Sequence, residues 1–192
     1  MKSFCKLSGL TLRKKDITAF LSGMILPPIM LFLIFLGLSH SGILNDVNYF
    51  ELLLEGRKKL IYYFVIGFIE EFLFRGLLFG FLCKKISYIP VDILLTTAFF
   101  SFPHAINQNA PISILLIFSF MFGILACEMR CFTKSIWMST GFHWTWNYSI
   151  VSVFMATNTN QHIYGWITVE IILLATAFHW LMKRQKKSFA IW

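Results

Sequence analysis

The sequence predicts an all-α fold, a polytopic membrane helix bundle of about six transmembrane helices with its functional site inside the bundle. Three observations carry that prediction. Hydrophobic residues make up 57% of the chain and charged ones only 14%, with a mean hydropathy of +0.70, as in membrane chains rather than soluble domains. Apolar runs recur at lengths that match a hydrocarbon core of roughly 30 Å at about 1.5 Å per residue. The positive charges are also spread unevenly about those runs, as membrane topology requires.

The first run is Ile17–Leu38, preceded by basic residues. Its flanks, with Ser39-His40-Ser41 behind it, also suit a cleaved signal peptide. At 22 residues, however, it is longer than a usual signal h-region, so it is read as a first span. Pro27-Pro28 should kink or break it, and residues 9–16 form a short lead-in lying on the membrane surface. Asn45–Lys59 sets Phe50, Leu53 and Leu54 at helical spacing among Asp46, Glu51 and Glu55. That suits an interfacial amphipathic helix, with a solvated connector as the plainer reading. The remaining runs are Leu60–Leu82, Ile89–Asn107, Pro111–Cys127, Ser135–Met155 and Ile163–Met182.

With the N-terminus inside, thirteen of the seventeen Lys and Arg fall on the inner side. Arg57, Lys58 and Lys59 lie outside, and Arg75 lies within a span. Both termini are therefore expected in the cytoplasm. The formal charge of +8 is then a topology signal, so the lipid bilayer is an expected partner and nucleic acid is not. Residues 1–192 read as one membrane domain with 60–155 as its core. The short loops and thin charge suit a bacterial cytoplasmic membrane. Cys5, Cys83, Cys127 and Cys131 all fall on the reducing side, where free thiols are expected. Cys127 and Cys131 read first as packing residues and only second as half a metal site or an acylation site.

Charge inside the second run needs a separate account. Phe68-Ile69-Glu70-Glu71-Phe72-Leu73-Phe74-Arg75-Gly76 places two carboxylates and a guanidinium near mid-membrane. An ionised side chain there costs about 2.5–3.5 kcal/mol even on lenient scales, so such groups face a bundle interior or a wet cavity. Glu71 and Arg75 share a helical face and can pair. Glu70 is turned by about 100° from Glu71 and is left without that partner. The third run adds Phe100 and His104 on one face, and the fifth adds His143 and Asn147 on another. A lone histidine in a span is usually a packing or hydrogen-bonding residue. Two of them and an asparagine, on separate spans beside a double Glu, point to one shared cavity.

Such a set can activate water. Glu70 can accept a proton from it, while His104 shares that proton or holds the water in place. His143 and Asn147 can donate to an oxyanion, and Arg75 fixes Glu71 in an orienting role. These are the parts of a peptidase that lacks a Ser or Cys nucleophile. The near variant is metal-assisted hydrolysis, with Glu70, His104 and His143 as zinc ligands and one position left for water. The usual His-Glu-x-x-His signal is absent, so the expected cofactor is either none or a single zinc ion. The other polar residues get bland readings. Glu170 and His179 share no face, Asp92 caps the third helix, His40 and His162 fall in loops, and Glu128 beside Arg130 is an end charge.

In chain order, Glu70-Glu71-x-x-x-Arg75, Phe100-x-x-x-His104 and His143-x-x-x-Asn147 resemble the CPBP intramembrane proteases. These include the CAAX prenyl endopeptidases and the bacteriocin-processing and self-immunity proteins of the Abi family. The resemblance runs from about Leu60 to Met155. It takes in Phe122-Gly123-Ile124-Leu125 before Arg130 and Ser135-Ile136-Trp137 after it. It implies an endopeptidase acting on a membrane-associated peptide or lipidated protein, such as a CAAX-type prenyl tail, a leader peptide, or a bacteriocin or pheromone precursor. Glu70 and His104 would activate water, His143 and Asn147 would form the oxyanion site, and Glu71 and Arg75 would support them. The family carries both a metalloprotease reading and a metal-free glutamate reading, and the sequence does not choose between them. Two other readings stand beside it. One is a non-catalytic immunity or scaffolding protein of the same family. The other is a small transporter or proton relay, against which stands the lack of an internal repeat.

Overall fold

A computed structural model of the chain describes residues 7–40, 51, 54, 57–86, 88–106, 112–157 and 161–184. Most of those residues are helical, with no strand among them. In order they form α1 (Lys14–His40), a 3-10 turn (Arg57–Lys59), α2 (Leu60–Glu71), a π-helical segment (Phe72–Leu78) and α3 (Phe79–Lys85). These are followed by α4 (Ile89–Ser101), a 3-10 segment (Phe102–Ile106), α5 (Ile112–Thr133), α6 (Trp137–Thr157) and α7 (Gln161–Arg184).

α6 is the centre of the packing. α1 and α2 both lie against it, while α5 packs between α4 and α7. The α1–α6 crossing is backbone on backbone. A Cβ on Gly23 would run into the Met138 carbonyl, and one on Gly141 would run into the Phe20 carbonyl. Small residues permit such close approach where lipid gives no hydrophobic drive to helix association. Around the crossing, Leu31, Phe100, Phe122, Leu125, Phe142, Trp146, Ile167 and Ile171 form the core.

The outer faces are apolar as well. Leu21, Ile25, Ile29 and Leu33 run down α1 at four-residue spacing, and Ile61, Val65, Ile69 and Leu73 do the same along α2 and the π-helical segment, all of them exposed. A water-soluble helix turns a polar face outward, so these stripes are surfaces for lipid. Two stretches, Lys14–Gly37 and Leu116–Thr133, are each long and apolar enough to cross a membrane by length and composition.

Several expectations are corrected. Pro27 and Pro28 do not break the first helix, which runs on to His40. The pair removes only two donors, and prolines are tolerated in membrane helices where packing and neighbouring groups compensate. The lead-in before α1 is not wholly on the surface, because Ser8, Gly9 and Asp16 are buried. Gly9 has φ +66, and a Cβ on it would collide with the Arg130 guanidinium. Arg130 Nη2 donates to Leu7 O at 3.3 Å, and Ile136 N–H donates to Gly9 O at 3.2 Å. The Trp137 indole donates to Thr11 O, and Asp16 Oδ2 accepts from Arg13 N–H at 2.7 Å. Arg130, Ile136 and Trp137 thus each draw one of the segment's carbonyls inward. His40 ends α1 and His162 lies in α7, so neither falls in a loop. The helix expected over Asn45–Lys59 lies largely outside the described residues.

Candidate active site

The carboxylates stand where the second helix changes pitch. α2 ends at Glu71, and the chain continues unbroken into the π-helical segment, where Phe79 N–H donates to Phe74 O. Turns of this kind inside α-helices recur at functional sites. Gly67 lets α2 approach α6, since a Cβ there would come 3.3 Å from Trp144 N and 3.6 Å from His143 Cβ. That approach brings both glutamates to His143.

Glu71 and Arg75 are fully buried. Glu71 Oε1 accepts from Arg75 Nη1 at 2.9 Å and lies 3.0 Å from His143 Nδ1. An ionised carboxylate only accepts, so Nδ1 carries the hydrogen of that bond and Nε2 faces away from it. Nε2 is 3.5 Å from Glu70 Oε2. His143 is therefore held between two carboxylates, one at each ring nitrogen. The carboxylates differ in access. The Glu70 side chain keeps 30% of its exposure, whereas that of Glu71 keeps none.

Arg75 is fixed on its other sides. Nη2 donates to Gly123 O at 3.3 Å, and the guanidinium lies over Phe100, 4.1 Å from the ring centroid. Gly123 is required for this, because a Cβ would come 2.7 Å from Thr97 Cγ2 and push α4 off α5. Beyond Phe100 the fourth helix tightens into its 3-10 segment, which carries His104. His104 Nδ1 is 2.9 Å from Phe100 O. A carbonyl only accepts, so Nδ1 donates, and in the neutral ring Nε2 keeps the lone pair.

A cavity of about 140 Å³ is lined by His104, His143 and Asn147 together with Phe100, Phe118, Ser119, Phe122, Trp146 and Ile150. His104, His143 and Asn147 thus line one space, whereas Glu70 is not part of its lining and stands behind His143, with Oε2 3.5 Å from Nε2. Sequence reasoning gave no role to Phe118, Ser119, Trp146 or Ile150. The usable signal was helical spacing. Phe118 and Ser119 stand one turn before Phe122, and Trp146 stands beside Asn147.

Among the described residues, no group of three or more His, Cys, Asp or Glu is placed to hold a metal ion. His143 has each nitrogen turned to a carboxylate, and His104 Nδ1 is engaged by a backbone carbonyl. Glu70, His104 and His143 as placed therefore do not form a zinc site, and no step below uses one. Cys83, Cys127 and Cys131 are buried cysteines outside any disulfide, packed with Phe79. Asp92 makes no cap bond, since Tyr88 holds the N-cap position and the Asp92 side chain is buried beside Cys83. Glu128 and Arg130 are buried rather than exposed end charges.

Among the described residues this is an all-helical arrangement that sets an acid–histidine cluster between α2 and α6, with two helices long and apolar enough to cross a membrane. Residues 58–149 match the family described as type II CAAX prenyl endopeptidase Rce1-like, a match that supports the CPBP/CAAX protease family. The matched stretch contains Glu70, Glu71, Arg75, His104, His143 and Asn147. No curated protein and no solved structure matches the chain.

Proposed function

We propose that the chain is an intramembrane endopeptidase that hydrolyses a peptide bond in a membrane-associated peptide or lipidated protein, with water activated by Glu70 and His104. The observation that carries this reading is His143 clamped between Glu71 and Glu70 at the edge of a cavity that also holds His104 and Asn147. Glu70 keeps access to that edge and takes the proton of the attacking water. His104 Nε2, with its lone pair free for acceptance, orients the same water. As the carbonyl becomes tetrahedral, its oxygen receives hydrogen bonds from His143 Nε2–H and the Asn147 amide. Donation from Nε2 makes His143 an imidazolium, and the Glu71 carboxylate at Nδ1 offsets that charge, since Glu70 is neutral once it holds the water's proton. Collapse of the intermediate breaks the C–N bond, and Glu70 returns the proton to the leaving amine.

The substrate class that the family carries is a prenylated protein tail. In this reading the helices cross a bacterial cytoplasmic membrane with both termini inside. The test is cleavage of prenyl-tail and leader-type peptides by purified, detergent-solubilised protein, with and without a strong chelator. Chelator-insensitive cleavage that disappears in Glu70→Gln is expected. Cleavage at the wild-type rate by folded Glu70→Gln would overturn the mechanism.

A further inference from the structure

Ser139 stands one turn before His143 on α6, on the same helical face. Its side chain is buried, and its hydroxyl stands beside the Glu71 carboxylate. Donors and acceptors around that hydroxyl do not balance. Ile136 O accepts from Thr140 N–H at 2.9 Å, from Thr140 Oγ1 at 2.9 Å and from Ser139 Oγ at 3.0 Å. Three donors there meet an oxygen with two lone pairs. Across the contact between α2 and α6 the imbalance is reversed. Glu71 Oε1 takes both Arg75 Nη1 and His143 Nδ1, while Glu71 Oε2 is enclosed and has no donor among the described residues. A buried acceptor left without a donor is costly. A hydroxyl hydrogen turns about its C–O bond to suit its surroundings. Of the two hydroxyls at Ile136 O, that of Ser139 is the one beside Glu71.

We infer that Ser139 is a positioning residue for His143, with its hydroxyl donating to Glu71 Oε2 and leaving Ile136 O to Thr140. Arg75 and His143 hold one carboxylate oxygen and Ser139 the other, so the carboxylate does not turn about its Cγ–Cδ bond. Oε1 then stays in line with Nδ1–H, and the imidazole keeps the orientation from which Nε2 donates. Ser139 touches neither substrate nor water and acts through Glu71. Its effect on hydrolysis rests on the peptidase reading, whereas its hold on the Glu71–His143 bond does not.

Two measurements on the purified full chain in detergent test this. The first is the low-field proton resonance of His143 Nδ1–H, in protein labelled at its histidine nitrogens and assigned by its loss in His143→Gln. Ser139→Ala should shift or broaden it. The resonance of His104 Nδ1–H, which donates to Phe100 O, should stay in place. The second is steady-state cleavage of peptides that the wild type cleaves. Ser139→Ala should lower kcat about ten-fold, as loss of one charge-assisted hydrogen bond does, with KM unchanged. Ser139→Cys keeps the size but is a weak donor, so it should match Ser139→Ala. A wild-type His143 resonance in folded Ser139→Ala would overturn the inference, as would wild-type kcat in Ser139→Ala or Ser139→Cys. If the wild type cleaves no peptide, the peptidase reading falls, and the resonance alone decides whether Ser139 holds Glu71.

Discussion

Glu71 and His143 meet at 3.0 Å across the contact between α2 and α6, and the same carboxylate oxygen takes Arg75 at 2.9 Å. One oxygen atom therefore sets both the rotamer of a buried arginine and the orientation of the imidazole. In the proposed mechanism Glu71 acts only through His143 and is a positioning residue.

Breaking that arrangement should be costly. Glu71→Gln leaves the Arg75 charge buried without its counter-ion, and Arg75→Met leaves Glu71 in the same state. Each should destabilise the fold by about 3–5 kcal/mol, the usual cost of stranding one member of a buried pair. The double variant should recover part of that loss. Thermal unfolding in detergent reads all three, and single variants that unfold at the wild-type temperature would show that the pair holds nothing together.

Glu70 should behave differently. Its side chain is partly exposed and its contact with His143 is long, so Glu70→Gln should unfold at the wild-type temperature. Peptidase activity should nonetheless fall by about 10²–10⁴-fold, the range that removal of a general base produces. Loss of folded protein instead of activity would place Glu70 with Glu71 as a structural residue.

The α1–α6 crossing gives a third test with its own control. Gly141→Leu puts a side chain into the Phe20 backbone, whereas Gly37→Leu meets nothing within 4 Å. The first should cost folded yield and activity together, and the second should be silent. Size-exclusion profiles and cleavage rates of the two variants make the comparison.

The segment before α1 gives a fourth. Gly9→Ala forces an L-residue into positive φ and onto the Arg130 guanidinium, and so should destabilise by more than about 1 kcal/mol. Trp137→Phe removes only the indole bond to Thr11 O. It should cost about 1 kcal/mol and raise amide exchange around residues 10–13. Unchanged exchange there would mean that the bond contributes nothing to holding the segment.

The helices and the local pair were legible in the sequence, because both follow from periodicity within a few turns. α2 begins at Leu60 and α4 at Ile89, where the hydropathy places them, and Glu71 meets Arg75 because four residues make one turn. The Glu71–His143 contact was not legible. Its partners are 72 residues apart, and it depends on how closely Gly67 lets two helices approach. Nor did composition mark the π-helical pitch after Glu71, which resides in backbone hydrogen bonding. Residues 9–16 read as a lead-in on the membrane surface, but Gly9 is buried with the Arg130 guanidinium where its Cβ would be. Pro27-Pro28 does not end the helix as a break would, since the groups around a membrane helix can make up for the two missing donors.

The place of α6 in the packing sets an order of events during synthesis. Chains emerge N-terminus first, so α1 and α2 enter the bilayer before the helix that both of them lie against exists. Until it arrives, the glycine face of α1 has nothing to close on, and Glu70 and Glu71 share a single counter-charge, Arg75. His143 comes 72 residues after Glu71, on the helix whose docking also completes the bundle. In the proposed mechanism, hydrolytic competence is therefore tied to the arrival of α6. A ribosome-bound fragment that stops short of Trp137 carries Glu70 and His104 but neither His143 nor Asn147, so it has no donors for an oxyanion until the bundle closes.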